Sequence, residues 1–158
     1  MGTGITFTDG KLGTAATFPN NAEYCIHMSG QESQTGSWCA WINVVGAGSA
    51  TKQYVISEGR DTGSVGTNIF LSQSGKTLYF DSHKKRVQTA DNAIPLNTWI
   101  HVVGTFGNGS INLYINGELI SSTTYTEDSD YAQSNNQLVL GKMSYYYSNK
   151  ASYFPFNG

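Results

Sequence analysis

The chain has 158 residues, 18 glycines, 10 tyrosines, 13% charged residues and a formal net charge of −2 at pH 7. That length fits one domain, residues 1–158, with a substantial core. The near-neutral balance gives no broad basic field for nucleic acid, and no apolar run is long enough to cross a bilayer as a helix. Met1-Gly2-Thr3-Gly4 has neither a charged n-region nor an apolar h-region, so the start does not read as a signal peptide. Many Thr, Ser, Asn and Tyr beside the glycines, with no sustained helical period, predict an all-β protein with many turns.

In chain order, Ile5–Thr8 and Leu12–Phe18 read as opening strands around Asp9-Gly10, and Pro19-Asn20-Asn21 as a turn. Tyr24–Met28 alternates, with Tyr24, Ile26 and Met28 on one side. Ser29–Gly36 reads as a polar loop. Ser37–Val45 is a strand with Trp38, Ala40 and Ile42 on one face and Cys39 and Trp41 on the other; apolar residues on both faces predict a central position. Gly46–Ser49 is a loop, Gln53–Ser57 a strand, and Glu58–Gly63 a glycine-rich loop. Asn68–Gln73 and Lys76–Asp81 form a hairpin across Ser74-Gly75.

Lys84–Pro95 is the least strand-like stretch and leaves room for one short helical turn. Within it, Lys84-Lys85-Arg86 is the sole basic run and reads as a solvated patch on a sheet rim. Trp99–Phe106 is rich in aromatic and β-branched residues, Gly107-Asn108-Gly109 breaks it, and Ser110–Ile115 alternates. Asn116-Gly117 follows between two strand-like runs; both accept the positive φ that a type I′ hairpin requires. Ser121–Asn136 begins as strand and becomes the acidic loop Glu127-Asp128-Ser129-Asp130. Leu138–Gly141 is a short strand, and Tyr145-Tyr146-Tyr147-Ser148-Asn149 a loop before Tyr153-Phe154-Pro155-Phe156. About ten short strands with no helix between them predict a two-sheet antiparallel sandwich.

Trp99-x-His101-Val102-Val103-x-Thr105, a Gly/Asn turn, and Ile111-x-Leu113-Tyr114-Ile115-Asn116-Gly117 resemble the laminin-G-like and pentraxin-like domains of the concanavalin-A-like lectin/glucanase superfamily. Gly10–Ala15 with Phe18, Tyr24–Met28, Gly36–Ile42 and Leu138–Gly141 resemble further strands of that family, in order, so the resemblance spans nearly the whole chain. It implies a curved jelly roll and a habit of binding, on a fold that hosts lectins, adhesion modules and hydrolases alike. It also implies work outside cells or on a virion surface, where phage fibres and tail tips carry such domains.

No strand shows the alternating acidic pattern with which glucanases of the superfamily place two carboxylates on one face, and no Gly-x-Ser-x-Gly elbow or Cys–His signature appears. No catalytic residue is assigned, and the chain reads as no enzyme; a hydrolase is the third of three readings. His27, His83 and His101 lack metal-ligand spacing, and His101 reads as a hydrogen-bonded structural histidine. The pentraxin-like calcium set is incomplete. Asp61 stands near its first position but is followed by Thr62, and Lys142-Met143-Ser144 replaces its second run. No metal or cofactor is therefore assigned; Asp128 or Asp130 could serve only a different calcium site. The pentraxin disulfide is also absent, because Cys39 is near its first position while Val103 holds the second. Cys25 and Cys39 read as reduced, half-buried thiols.

Tyr145, Tyr146, Tyr147 and Tyr153, with Asn149 and Asp61, are the candidate ligand-binding residues. A tyrosine offers an apolar ring to a sugar's CH face and a hydroxyl to its polar edge, and tyrosine-rich loops also bind proteins. Packing of those rings against the sandwich stays an open alternative. The expected partner is a glycan or a cell-surface protein, met through rim loops, with no membrane insertion. A different reading is a structural module of a virion or surface assembly that joins neighbouring chains.

In the resembled family, a phrase like Phe154-Pro155-Phe156-Asn157-Gly158 precedes one more strand, beside the opening strand. The opening strand is therefore expected to show an unpaired edge or a partner from outside the usual order.

Overall fold

A computed structural model describes residues 4–21, 24–29, 34–59, 66–126, 137–143 and 154–158. Among them are twelve strands and no helix: β1 (Thr6–Asp9), β2 (Thr14–Thr17), β3 (Ile26–Ser29), β4 (Gly36–Asn43), β5 (Lys52–Gly59), β6 (Gly66–Ser72), β7 (Leu78–Ser82), β8 (Lys85–Gln88), β9 (Trp99–Gly107), β10 (Ser110–Ile115), β11 (Glu118–Thr124) and β12 (Gln137–Leu140). They form a four-stranded sheet in the order β11-β10-β9-β4, a six-stranded sheet in the order β3-β12-β5-β6-β7-β8, and a separate hairpin β1-β2. Every pairing is antiparallel.

β9 shows how the pattern sets the layers. Ile100, Val102 and Phe106 are buried, while His101, Val103 and Thr105 between them are half-exposed. Successive strand residues face opposite sides, so one face meets the core and the other meets water. The inward residues of β4, β9 and β10 pack against those of β5, β6, β7 and β8 in one cluster that includes Ile42, Val102, Leu113, Ile69, Leu78 and Phe80. Gly104 interrupts the inward row of β9 for a steric reason: a Cβ there would lie 2.5 Å from the Phe80 ring. The two sheets thus make the expected all-β sandwich.

The turns follow local chemistry. Gly107, Asn108 and Gly109 all have positive φ, as do Asn116 and Gly117. Asn116 ties this turn to β9 twice, with its N–H donating to the His101 carbonyl at 2.8 Å and its Oδ1 accepting from the His101 N–H at 2.9 Å.

Five expectations are corrected. Lys84–Pro95 holds no helical turn. His83 and Lys84 take positive φ, 49° and 60°, and turn β7 directly into β8. Arg86 is not merely solvated, because its guanidinium donates to both Asp81 oxygens, at 2.7 and 2.6 Å. β4 is not central but the last strand of its sheet among the described residues, although it has apolar side chains on both faces. The imidazole of His101 makes no hydrogen bond among the described residues. It packs on the Trp41 ring at 5.1 Å on the outer face, and the Asn116 bonds belong to its backbone. Cys25 and Cys39 are both free; Cys25 is half-buried as expected, with Sγ 3.0 Å from His27 Nε2, whereas Cys39 is exposed. Cys39 lies directly opposite Val103 in the register.

At the chain's end, Asn157 bridges to Pro19, and Phe18 and Gly158 exchange backbone hydrogen bonds at 2.7 and 3.4 Å. Beyond that contact, β2 pairs only with β1 among the described strands. The opening strand therefore has the unpaired edge expected of it.

Candidate functional site

The six-stranded sheet has an inner face of aliphatic residues and an outer face of different character. Register sets Tyr54 opposite Phe70, and Phe70 opposite Tyr79. Their rings stack in a row across β5, β6 and β7, with centroids 4.8 and 4.9 Å apart and planes 15° and 12° from parallel. Offset stacking of this kind adds to what ring burial contributes. Phe154 extends the row beside Tyr54 at 5.7 Å.

Two cations lie on the row. Lys52 Nζ is 5.1 Å from the Phe70 centroid, and the Arg86 guanidinium is 5.0 Å from Phe70 and 5.4 Å from Tyr79. Ring quadrupoles favour cations at such distances. Asp81 holds Arg86 by a two-pronged ion pair, which fixes the plane of the guanidinium. Tyr54 and Phe70 are buried, but Tyr79 is half-exposed, and Gln88 opposite it on β8 is exposed. Among the described residues the face therefore presents the half-exposed Tyr79 ring with a guanidinium, a carboxylate and an amide around it, and the half-exposed Phe154 ring at the other end of the row. Rings that meet sugar CH groups, edged by planar polar groups that meet hydroxyls, are what a glycan site needs.

Tyr145, Tyr146, Tyr147, Asn149, Tyr153 and Asp61 lie outside the described residues. The residues that flank them are described. Met143 and Phe154, the two ends of the tyrosine-rich segment, both pack on Tyr54 and Phe70. Gly59 and Gly66, which flank the segment containing Asp61, are the paired ends of β5 and β6. The described residues on either side of both segments thus belong to the six-stranded sheet or pack on its aromatic row.

At the rim where β5 ends, polar groups replace the aliphatic core. Thr67 and Ser82 share a hydrogen bond at 3.1 Å, Ser82 reaches His83 Nδ1 at 2.8 Å, and the His83 ring stacks on Tyr125 at 4.2 Å. Glu58, opposite Thr67, is buried, and burial pushes its carboxyl above the usual range. Asp81 faces the other side of the sheet, so no second carboxylate is seen to join Glu58 among the described residues. Nor do three or more His, Cys, Asp or Glu gather into a metal site among them.

The aromatic row escaped sequence reading although each member was visible as a strand residue. The missing link was the Ser82-to-Lys85 turn. Ser82-His83-Lys84-Lys85 carries no Gly, Asn or Pro, and without that turn nothing places Arg86 opposite Asp81.

A family model described as the concanavalin A-like lectin/glucanases superfamily, of laminin-G type, matches residues 9–157. Among solved structures, domain 4 of AbnA, an extracellular arabinanase from Geobacillus stearothermophilus solved with arabinotriose, is 22% identical. That match covers 99% of this chain and 72% of the other, with a TM-score of 0.68. Domains LG4-5 of the mouse laminin alpha1 chain are 14% identical over 99% of this chain and 41% of theirs, with a TM-score of 0.60. The enzymatically active domain of tailspike protein 2 from bacteriophage CBA120 is 12% identical, over 99% of this chain and 26% of its own, with a TM-score of 0.62. No curated protein sequence matches the chain.

Proposed function

Since the chain belongs to the concanavalin A-like lectin/glucanases superfamily, we propose that it is a non-catalytic module that binds a glycan on the outer face of its six-stranded sheet. The observation that carries this reading is the half-exposed Tyr79 ring, backed by the Tyr54–Phe70 stack and edged by the Asp81-held guanidinium of Arg86. A ring already stacked from behind loses little freedom when a sugar settles on it, and a guanidinium held in plane needs little reorganisation to donate to hydroxyls. The proposal also gives Tyr145, Tyr146, Tyr147, Asn149, Tyr153 and Asp61 a part in binding; what supports it is that Met143 and Phe154, flanking the first segment, pack in the Tyr54–Phe70 cluster, and that Gly59 and Gly66, flanking the second, end β5 and β6. The arabinotriose bound to the AbnA domain supports this ligand class, and the extracellular arabinanase and the phage tailspike support a place outside cells or on a virion.

Isothermal titration with arabinotriose, followed by a glycan array, tests the reading. Tyr79→Ala weakens binding of the best glycan about tenfold or more, equivalent to ~1.4 kcal/mol, and Arg86→Ala does so by a similar factor. Thermal unfolding checks that both variants stay folded. Undiminished binding in both variants moves the site elsewhere, and the lack of any glycan ligand sinks the proposal.

A further inference from the structure

The aromatic row on the outer face of the six-stranded sheet runs across the strands, one ring to each strand position. Register sets Tyr54 on β5, Phe70 on β6 and Tyr79 on β7 side by side. Phe154 takes the next place. The Tyr54 N–H donates to its carbonyl at 3.1 Å, which puts residue 154 alongside β5, and its ring lies 5.7 Å from that of Tyr54. The row thus holds four rings at successive positions. Strands lie ~4.8 Å apart, so its two ends are separated by about 15 Å.

The four positions differ in what they offer. Tyr79 and Phe154, at the ends, are half-exposed, whereas Tyr54 and Phe70 between them are 0% and 1% exposed. Over Phe70 lie the Lys52 ammonium and the Arg86 guanidinium, 5.1 and 5.0 Å from its centroid. Both of those groups can only donate hydrogen bonds. The ends therefore offer ring faces to the CH groups of a sugar, and the middle offers donors to its oxygens. Beyond Tyr79 the face ends at β8, the last strand of the sheet among the described residues, where Gln88 is exposed. One residue of an extended glycan is about 5 Å long, close to a strand spacing. A sugar on Tyr79 and a sugar on Phe154 are then the first and fourth residues of one chain.

We propose that this face selects its ligand by length. It takes a linear oligosaccharide laid across the strands, one sugar to each strand position, with the outer two of four stacked on Tyr79 and Phe154. The middle two accept hydrogen bonds from Lys52 and Arg86. The inference rests on the glycan reading of this face and adds the class of glycan: an extended chain of at least four residues, not a single terminal sugar. A chain that reaches both exposed rings gains over one that reaches either, because the second contact is made within the same complex.

The test is isothermal titration of the intact protein with arabino-, xylo- and cello-oligosaccharides of two to six residues. In a series that binds, affinity is expected to climb ~10-fold or more from disaccharide to tetrasaccharide and to stay level from there to the hexasaccharide. Phe154→Leu keeps an apolar side chain against Tyr54 and removes the ring, and it brings the tetrasaccharide down to the affinity of the trisaccharide. If Phe154→Leu instead weakens every length by one common factor, the ring only supports the fold, and the inference is overturned. Equal affinity for disaccharide and hexasaccharide overturns it while leaving the glycan reading intact, and so does a gain that continues past four residues. Absence of binding at every length in all three series overturns it as well, and the glycan array then decides the wider reading on its own.

Discussion

Glu58 illustrates what burial does to a single residue. Its carboxyl lies inside the end of the sandwich, and desolvation raises its pKa above the reference value of 4.5. The folded state therefore holds the proton more tightly than the unfolded chain. Below pH 4.5 both states are protonated, and this contribution to stability is fully present. As pH rises through the folded-state pKa, the buried group must ionise, and the contribution is lost. Glu58→Gln keeps the shape and removes the ionisation. The variant is expected to gain on the wild type as pH rises from the acid range and to hold a constant lead beyond the folded-state pKa. Thermal unfolding of both proteins across that range measures the gap, and parallel curves would refute the claim. The residue was legible only as the start of a glycine-rich loop, because its burial depends on residues of β6 that the sequence does not show beside it.

The strands and their turns were the most legible level. Asn116-Gly117 was identified from two letters, because few residues accept positive φ at both central positions. The structure adds that the Asn116 side chain also accepts the His101 N–H. Asn116→Ala loses that bond and puts alanine, which tolerates the left-handed region less well than asparagine, at a φ of 51°. It is expected to cost about 1–2 kcal/mol, read as a lower urea midpoint with an unchanged slope. A loss within experimental error would show that the turn holds without its side chain. The turn between β7 and β8 was illegible for the converse reason. His83 and Lys84 adopt the same kind of φ without being turn formers, held by the ladder on either side and by the stacking of His83 on Tyr125. β4 shows a third case. Apolar residues on both faces predicted a central strand; among the described strands it instead ends its sheet, with Ala40 and Ile42 in the core and Trp41 on the outer face 38% exposed.

Across the whole molecule, what joins the pieces is a buried amide that no sequence pattern marks. Gln53 is fully buried at the start of β5. Its Nε2 donates to the carbonyls of Gly46 and Gln73, both at 3.0 Å, and more weakly to that of Ser72, while its Oε1 accepts the Asn157 N–H at 3.1 Å. One side chain thus ties the loop after β4, the β6–β7 turn and the C-terminal segment to the six-stranded sheet. Asn157 is 104 residues away, so neither partner predicts the other from the sequence. Gln53→Leu keeps most of the volume but strips the Gly46 carbonyl and the Asn157 N–H of their side-chain partner and leaves the Gln73 carbonyl with the Gly48 N–H alone. Each buried polar group left unsatisfied costs about 1–3 kcal/mol, and partial access of water to the loop groups lowers the sum, so a loss of about 3 kcal/mol is expected. Its distribution is more diagnostic than its size. The Val45 amide, which donates to Asn157, and the Gly48 amide, which donates to Gln73, should exchange faster by more than the global loss accounts for. The core amides of β9 and β10 should accelerate only by the global factor. Uniform acceleration would mean that Gln53 stabilises the sandwich as one body and does not latch its end.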